Sequence, residues 1–260
     1  QKMVREGLED NYPQLQNLIK RDPASYEDEF RQQYAHFQSA WSLLCMGQTP
    51  GPHLEAMLMF MAHCAPSYKH ITAQFGEQLV AVLEDVHRLG QFEGSLRKCI
   101  VQAVLLLKRD KMVDQLKVVP VLFKLLRLKD KNLRELVTNT IVQDLKKATP
   151  QLSKHVLNFL EETVLAVDGK EDEACASAAV QSLDILITVY AKHQTNSDAR
   201  AINIIANAGL NEKHVKLMLL ALNFLIGQAE REARGDNDDS DDSDDEGDGN
   251  QVDQGTIRQA

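Results

Sequence analysis

Apolar residues recur along most of this chain at spacings of three and four, the pattern of a helix that turns one face to a core. The first clear stripe is Phe30, Tyr34, Phe37, Trp41 and Leu44. Asp22 followed by Pro23 predicts where its helix begins. An aspartate N-cap and a proline at the first helical position both suit a turn whose N–H groups lack intrahelical acceptors. Glu27, Asp28 and Glu29 then fall near the positive end of the helix dipole, and the segment before Asp22 reads as a basic lead-in. GQTPGPH, Gly47 to His53, predicts a turn, since two prolines and two glycines in seven residues cannot continue a helix. HLEAMLMFMAHC, apolar around much of its circumference, predicts a buried helix ended by Pro66. Another helix is predicted from Thr72 to Arg88 through Phe75, Leu79, Val82, Leu83 and Val86.

From Gly94 onward the pattern repeats. GSLRKCIVQAVLLLK and KNLRELVTNTIVQDL align Arg97 on Arg134, an offset of 37. DEACASAAVQSLDIL and EKHVKLMLLALNFLI bring Ser177 and Lys216 to the same point, with offsets of 43 and 39. Each reads as the second helix of a pair, and VDQLKVVPVLFKLLRL, KHVLNFLEETVLAV and SDARAINIIANAGL supply first helices between them, with Pro120 expected to kink its own. Helix pairs at a period of about 40 residues, with no strand-like alternation, predict an all-α fold. The expected form is a HEAT/armadillo-like α-solenoid of about eleven helices over residues 1–234; an irregular helical bundle is the alternative.

Composition changes this picture at one end. Residues 235–260 hold ten acids and one base, so the whole formal charge of −9 sits there. GDNDDSDDSDDEGDGN has nothing to bury and predicts a disordered acidic tail or linker. Ser240 and Ser243, set among those acids, are candidate phosphorylation sites for an acid-directed kinase. Within the neutral remainder, residues 97–154 carry 14 Lys and Arg against five acids, flanked by segments of net −5 and −4. Cys45, Cys64, Cys99 and Cys175 lie far apart in apolar helical surroundings and read as buried, reduced thiols. No apolar run approaches the roughly 20 residues of a membrane span, so the chain reads as soluble, and nothing at its start suggests secretion. It also lacks an initiating Met and reads as a fragment.

No catalytic apparatus is legible: the nucleotide-cradling, nucleophile-elbow and zinc-protease motifs are absent. His63 and Cys64 are adjacent and diverge by about 100° on a helix, a poor start for a metal site. The basic middle is the best functional feature. Lys124, Arg127, Lys129, Lys131 and Arg134 fall at helix ends and at the turn between them, with Lys108, Arg109 and Lys111 closing the previous second helix and Lys146 and Lys147 the next. If successive turns share an edge, these cations form a continuous ridge suited to RNA phosphates. Lys20 and Arg21 are a second candidate. The bland alternative is a solvated ridge whose Lys and Arg merely suit helix C-termini.

The run P-Q-L-Q-N-L-I-K-R-D-P, Pro13 to Pro23, with Tyr26, Glu29, Phe30, Gln33 and Tyr34, resembles the N-terminal signature of the Sda ("severe depolymerization of actin") family. Leu122 to Arg134 and Ile141 to Lys146 look like its central segment; Phe60 to His63, Ala201 to Ile205 and Leu222 to Gly227 are weaker echoes in the expected order. Tyr12 departs from the leucine that usually precedes the proline, and HQTNSD lacks the family's tryptophan. The resemblance implies a non-enzymatic nuclear and nucleolar factor without cofactor. It would bind pre-60S ribosomal particles through ribosomal RNA, other assembly factors and ribosomal proteins, and promote late maturation and export. The family's chains run on past an acidic stretch, so this sequence reads as the N-terminal part. A membrane or a small-molecule substrate is not expected. The rival from another class is a karyopherin-like transport adaptor that grips protein cargo.

Overall fold

In the computed structural model the described residues are 11–49, 51, 53–165, 172–192 and 199–234. They form twelve α-helices and two short 3₁₀ turns. The helices are α1 (Tyr12–Arg21), α2 (Glu27–Cys45), α3 (Leu54–Cys64), α4 (Phe75–Glu84), α5 (Val86–Gln91) and α6 (Gly94–Arg109). They continue with α7 (Gln115–Leu125), α8 (Lys131–Lys146), α9 (Pro150–Leu165), α10 (Glu173–Lys192), α11 (Ala199–Gly209) and α12 (Val215–Arg234).

Packing sorts them into two layers. α4, α7, α9 and α11 stack in one, joined to α2 through the edge-to-face contact of Phe37 with Phe75, centroids 5.5 Å apart. α1, α3, α6, α8, α10 and α12 stack in the other, and each first helix pairs with the second helix that follows it. This is the expected α-solenoid, five helix hairpins preceded by α1. The four segments aligned by sequence offset are α6, α8, α10 and α12, all in the second layer.

The first two hairpins are held by aromatic side chains. Phe30 stacks on Tyr68 at 4.3 Å and Phe37 on Trp41 at 5.6 Å, all four buried, each ring removing a large apolar area from water. Tyr68 Oη donates to Pro23 O at 2.8 Å, which satisfies the buried hydroxyl and ties the turn before α2 to the one after α3. Later hairpins are aliphatic: Val118, Leu122, Val137, Ile141, Leu160 and Ile205 lie at or near zero exposure.

Several expectations need correction. The segment before Asp22 is itself a helix, α1, whose Asn11 cap accepts from Gln14 N–H and whose Leu15 and Ile19 are buried. Asp22 ends α1 and accepts from Ser25 N–H, so Pro23 opens a 3₁₀ turn, Ala24–Tyr26, and the α-helix starts at Glu27. The helix expected over Thr72 to Arg88 is two, because Asp85 leaves helical geometry and caps α5 through Arg88 N–H. Cys64 and Cys99 are buried, but Cys45 is exposed and Cys175 half-buried. On α12 the apolar side chains Val215, Leu219 and Ile226 share an exposed stripe. The acidic segment 235–260, with Ser240 and Ser243, lies outside the described residues.

Candidate nucleic-acid interface

Each short connection reverses the chain, so turns alternate between two edges of the solenoid. On the first edge lie the turns from first to second helices, including residues 126–130; on the second lie the returns, including 110–114 and 147–149. Ion pairs fix this arrangement. Arg97 Nη2 meets Asp130 Oδ2 at 2.8 Å, joining the starts of α6 and α8, whereas Lys108 meets Asp144 near their ends. Lys129 Nζ lies 3.2 Å from Glu173 Oε2, which places the start of α10 on the first edge too.

The predicted ridge therefore divides. Lys124, Arg127, Lys129, Lys131 and Arg134 gather on the first edge, and Lys108, Arg109, Lys111, Lys146 and Lys147 on the second, a helix length of about 24 Å away for 16 residues. Linear charge density does not report which end of a helix a residue occupies.

The first edge is compensated from within. Arg97 also donates to Phe92 O at 2.7 Å, and Asp130 accepts from Leu133 N–H, so this acid both caps α8 and clamps two successive turns. The Arg97 hydrogen bond, then the Leu133 N–H, hold the Asp130 carboxyl below its usual range. Asp172 is likewise lowered, chiefly by the Cys175 N–H and in lesser part by the charge of Arg127. Lys129 has Glu173; Lys124 and Arg134 are half-buried, leaving Arg127 and Lys131 exposed without an ion-pair partner among the described residues.

The second edge holds an open depression of about 850 Å³, lined by Lys108, Arg109, Lys111 and Lys147 with Thr140 and Gln143. Lys108 is a correction to the candidate set: its side chain is 11% exposed and is engaged by Asp144, so it braces α6 against α8. Arg109 is exposed and its Nε lies 3.1 Å from neighbouring Asp110. Lys111, Lys146 and Lys147 are exposed, as are Lys20 and Arg21 at the end of α1, and none of the five has an acidic partner within ion-pair distance among the described residues. The His63 imidazole is pushed below its usual value by burial, with the nearby charges of Lys20 and Arg109 adding to the effect. α1 and α6 both pack on α3, and the Tyr68–Pro23 bond holds the turn after α1 against the turn after α3, so the basic ends of α1 and α6 lie on one edge.

Lys111 has a feature sequence reasoning missed. Its φ is +56°, the one left-handed non-glycine among the described residues. Lys111 N–H bonds Lys108 O at 3.1 Å and Met112 N–H bonds Leu107 O at 2.8 Å, a closing turn that usually places glycine where this lysine stands. α2 closes in the same way, with Gly47 at φ +78° and Gln48 N–H on Leu43 O at 3.0 Å. Thr140 and Gln143, on the α8 face toward the depression, add neutral hydrogen-bonding groups that a charge count overlooks.

On the first edge a second cavity of about 590 Å³ is lined by Leu44, Leu54, Phe92 and Leu96 with Glu55 and Glu93. Among the described residues no group of three or more His, Cys, Asp or Glu side chains could hold a metal ion. Among the described residues no helix is long and apolar enough to cross a membrane.

The family described as "SDA1, HEAT repeat" matches residues 60–259. A protein SDA1 homolog of Drosophila melanogaster is 34% identical over 232 residues, which cover 89% of this chain and 32% of the fly protein. One from Xenopus tropicalis is 33% identical, covering 87% of this chain and 32% of its own. Protein sda1 of Schizosaccharomyces pombe is 27% identical, with 89% and 34% covered. The chain thus spans about a third of the length of these curated relatives.

Proposed function

The chain belongs to the SDA1 HEAT-repeat family, and from that premise we propose that it is a non-enzymatic ribosome biogenesis factor acting in the nucleus and nucleolus. In this reading it binds pre-60S particles, touching ribosomal RNA together with other assembly factors and ribosomal proteins, and promotes late maturation and export of the large subunit. The observation that carries the RNA contact is the second edge. Lys20, Arg21, Lys111, Lys146 and Lys147 are exposed, lack acidic partners among the described residues, and lie on the edge that bears the depression. Cations held on rigid helix ends favour sugar–phosphate backbone, where counterion release supplies binding free energy without base readout. No strand platform for base stacking exists among the described residues, so RNA shape is the feature read.

A protein-cargo adaptor of karyopherin type is the second reading, favoured by the exposed apolar stripe Val215, Leu219 and Ile226 on α12. Gradient sedimentation of nuclear extract separates the two. Under the ribosome reading the protein co-migrates with pre-60S particles, is released by RNase, and is lost on Lys111→Glu with Lys146→Glu and Lys147→Glu. Lys129→Glu with Lys131→Glu and Arg134→Glu then has the smaller effect. Sedimentation at the top of the gradient, unchanged by either set, would refute the reading and turn attention to cargo binding.

A further inference from the structure

We propose that the acidic segment 235–250 of this same chain docks on the second edge, over Lys111, Lys146 and Lys147, and competes there with RNA. The competition rests on the RNA reading above; the docking itself does not.

Three observations converge. The first is direction. The second-layer helices α6, α8 and α10 all end on the second edge, as the Lys108–Asp144 and Lys129–Glu173 pairs require. Six residues separate α10 from α11, a reach of at most about 20 Å, whereas 20-residue α10 is about 30 Å long. Continued reversal at this short connection turns α11 back against α9, with Arg200 Nη2 2.8 Å from Glu161 Oε2, and α12, returning through the short turn 210–214 and packing along α10, runs toward the second edge and ends at Arg234. α12 thus runs toward the edge that carries the unpartnered lysines.

Reach is the second. α12 packs on α10 and α10 on α8, and packed helix axes lie 8–10 Å apart, so the end of α8 is about 20 Å from the end of α12. Sixteen residues can span up to about 50 Å, more than twice that distance.

Charge is the third. Residues 235–250 hold nine acids and no base, and the second edge offers Lys111, Lys146 and Lys147 without acids of their own. On the first edge Lys129 is paired with Glu173, while Arg127 and Lys131 are exposed without an ion-pair partner among the described residues; the second edge is favoured because its unpartnered lysines are more numerous and lie on the edge toward which α12 runs. The lysines are helix-end residues on a fixed scaffold, so an acidic chain can follow them as a phosphate backbone would. Phosphate on Ser240 or Ser243 would add up to about −2 each and strengthen the intramolecular competitor.

The test uses the whole 260-residue chain. Carbodiimide joins carboxylates only to amines in contact, and the expected products are monomeric cross-links from acids in 235–250 to Lys111, Lys146 or Lys147, suppressed by high salt. In parallel, a chain with Asp241, Asp242, Asp244 and Asp245 each changed to Asn and Glu246→Gln is titrated with an RNA duplex of about 20 base pairs, and should bind roughly tenfold more tightly at low salt. Cross-links absent from these lysines, or equally frequent at Lys131 and Lys213, would overturn the docking. Unchanged RNA affinity in the neutralised chain would overturn the competition. If cross-links form but neither chain binds RNA, docking stands and the RNA reading fails. If RNA binding is lost on Lys147→Glu while cross-links and tail effect are both missing, the RNA reading stands and this proposal fails.

Discussion

A Cβ built on Gly76 would lie 2.4 Å from Cγ2 of Val113, closer than two non-bonded carbon atoms approach. Gly76 sits in the first turn of α4, and Val113 belongs to the turn that carries Lys111. The missing side chain lets that basic turn rest against the first layer. Gly76→Ala gains helix propensity of up to about 1 kcal/mol, but it must displace a short, stiff, buried valine, at a cost typically of about 1–3 kcal/mol. Net destabilisation of roughly 1 kcal/mol is expected in urea denaturation followed by circular dichroism. A stability equal to or above the parent's would show that the turn yields freely.

The Arg97–Asp130 clamp gives a pH dependence with a defined sign. The carboxyl is held below its usual value, first by the Arg97 hydrogen bond and then by the Leu133 N–H. A depressed folded-state value contributes stability above the unfolded-state value of about 3.9, and that contribution is lost as pH falls through the folded value. Asp130→Asn, which keeps a capping oxygen but no charge, should flatten the loss of stability below about pH 4 relative to the parent. Asp130→Ala, which loses cap and clamp together, should cost about 2 kcal/mol at neutral pH. Denaturant midpoints across pH 3 to 7 measure both.

How far the fold was legible depended on how complete the local signals were. α6, α8, α10 and α12 announce themselves because long apolar stripes dominate their windows. α1 has the same signals in smaller compass, an Asn11 cap, Pro13 in the first turn and Leu15 with Ile19 four apart, but it is only ten residues long and was read as a lead-in. Asp85 breaks the expected helix over 72–88 through a cap bond that periodicity cannot register. The apolar surroundings of Cys45 suggest burial, yet Leu44 takes the last core position of α2 and Cys45 is exposed. The candidate site was half legible: the cations were identifiable by type, but their division between two edges and the loss of Lys108 to Asp144 depend on pairs more than 30 residues apart.

Thiol chemistry reports the same packing. Burial pushes the Cys64 thiol up to about 12 and the Cys99 thiol, which donates to Glu55 O at 3.5 Å, up to about 11. Reactivity follows thiolate fraction and access. With a disulfide reagent at pH 8, Cys45 should react first and Cys175 more slowly, while Cys64 and Cys99 remain protected until denaturant is added. Cys45→Ser should remove the fast phase; rapid labelling of Cys64 in folded protein would contradict the packing of α3.

Lys111 offers the sharpest separation of stability from binding. A left-handed conformation costs a non-glycine residue about 1–2 kcal/mol, and glycine at such a position adopts it freely while losing some of that gain to its larger unfolded-state entropy. Lys111→Gly should therefore raise stability by about 0.5–1 kcal/mol, whereas Lys111→Ala keeps the strain and gains nothing. Both remove one cation from the second edge. Each should weaken RNA binding similarly and reduce the slope of log affinity against log salt by about 0.7–0.9, the contribution of one phosphate contact. A stability gain in the Gly variant alone, with equal binding losses in both, would mean that the lysine is held in a strained turn for its charge. Weaker binding by Ala alone would trace the effect to turn geometry, and unchanged binding in both would remove Lys111 from the interface while leaving Lys146 and Lys147 to carry it.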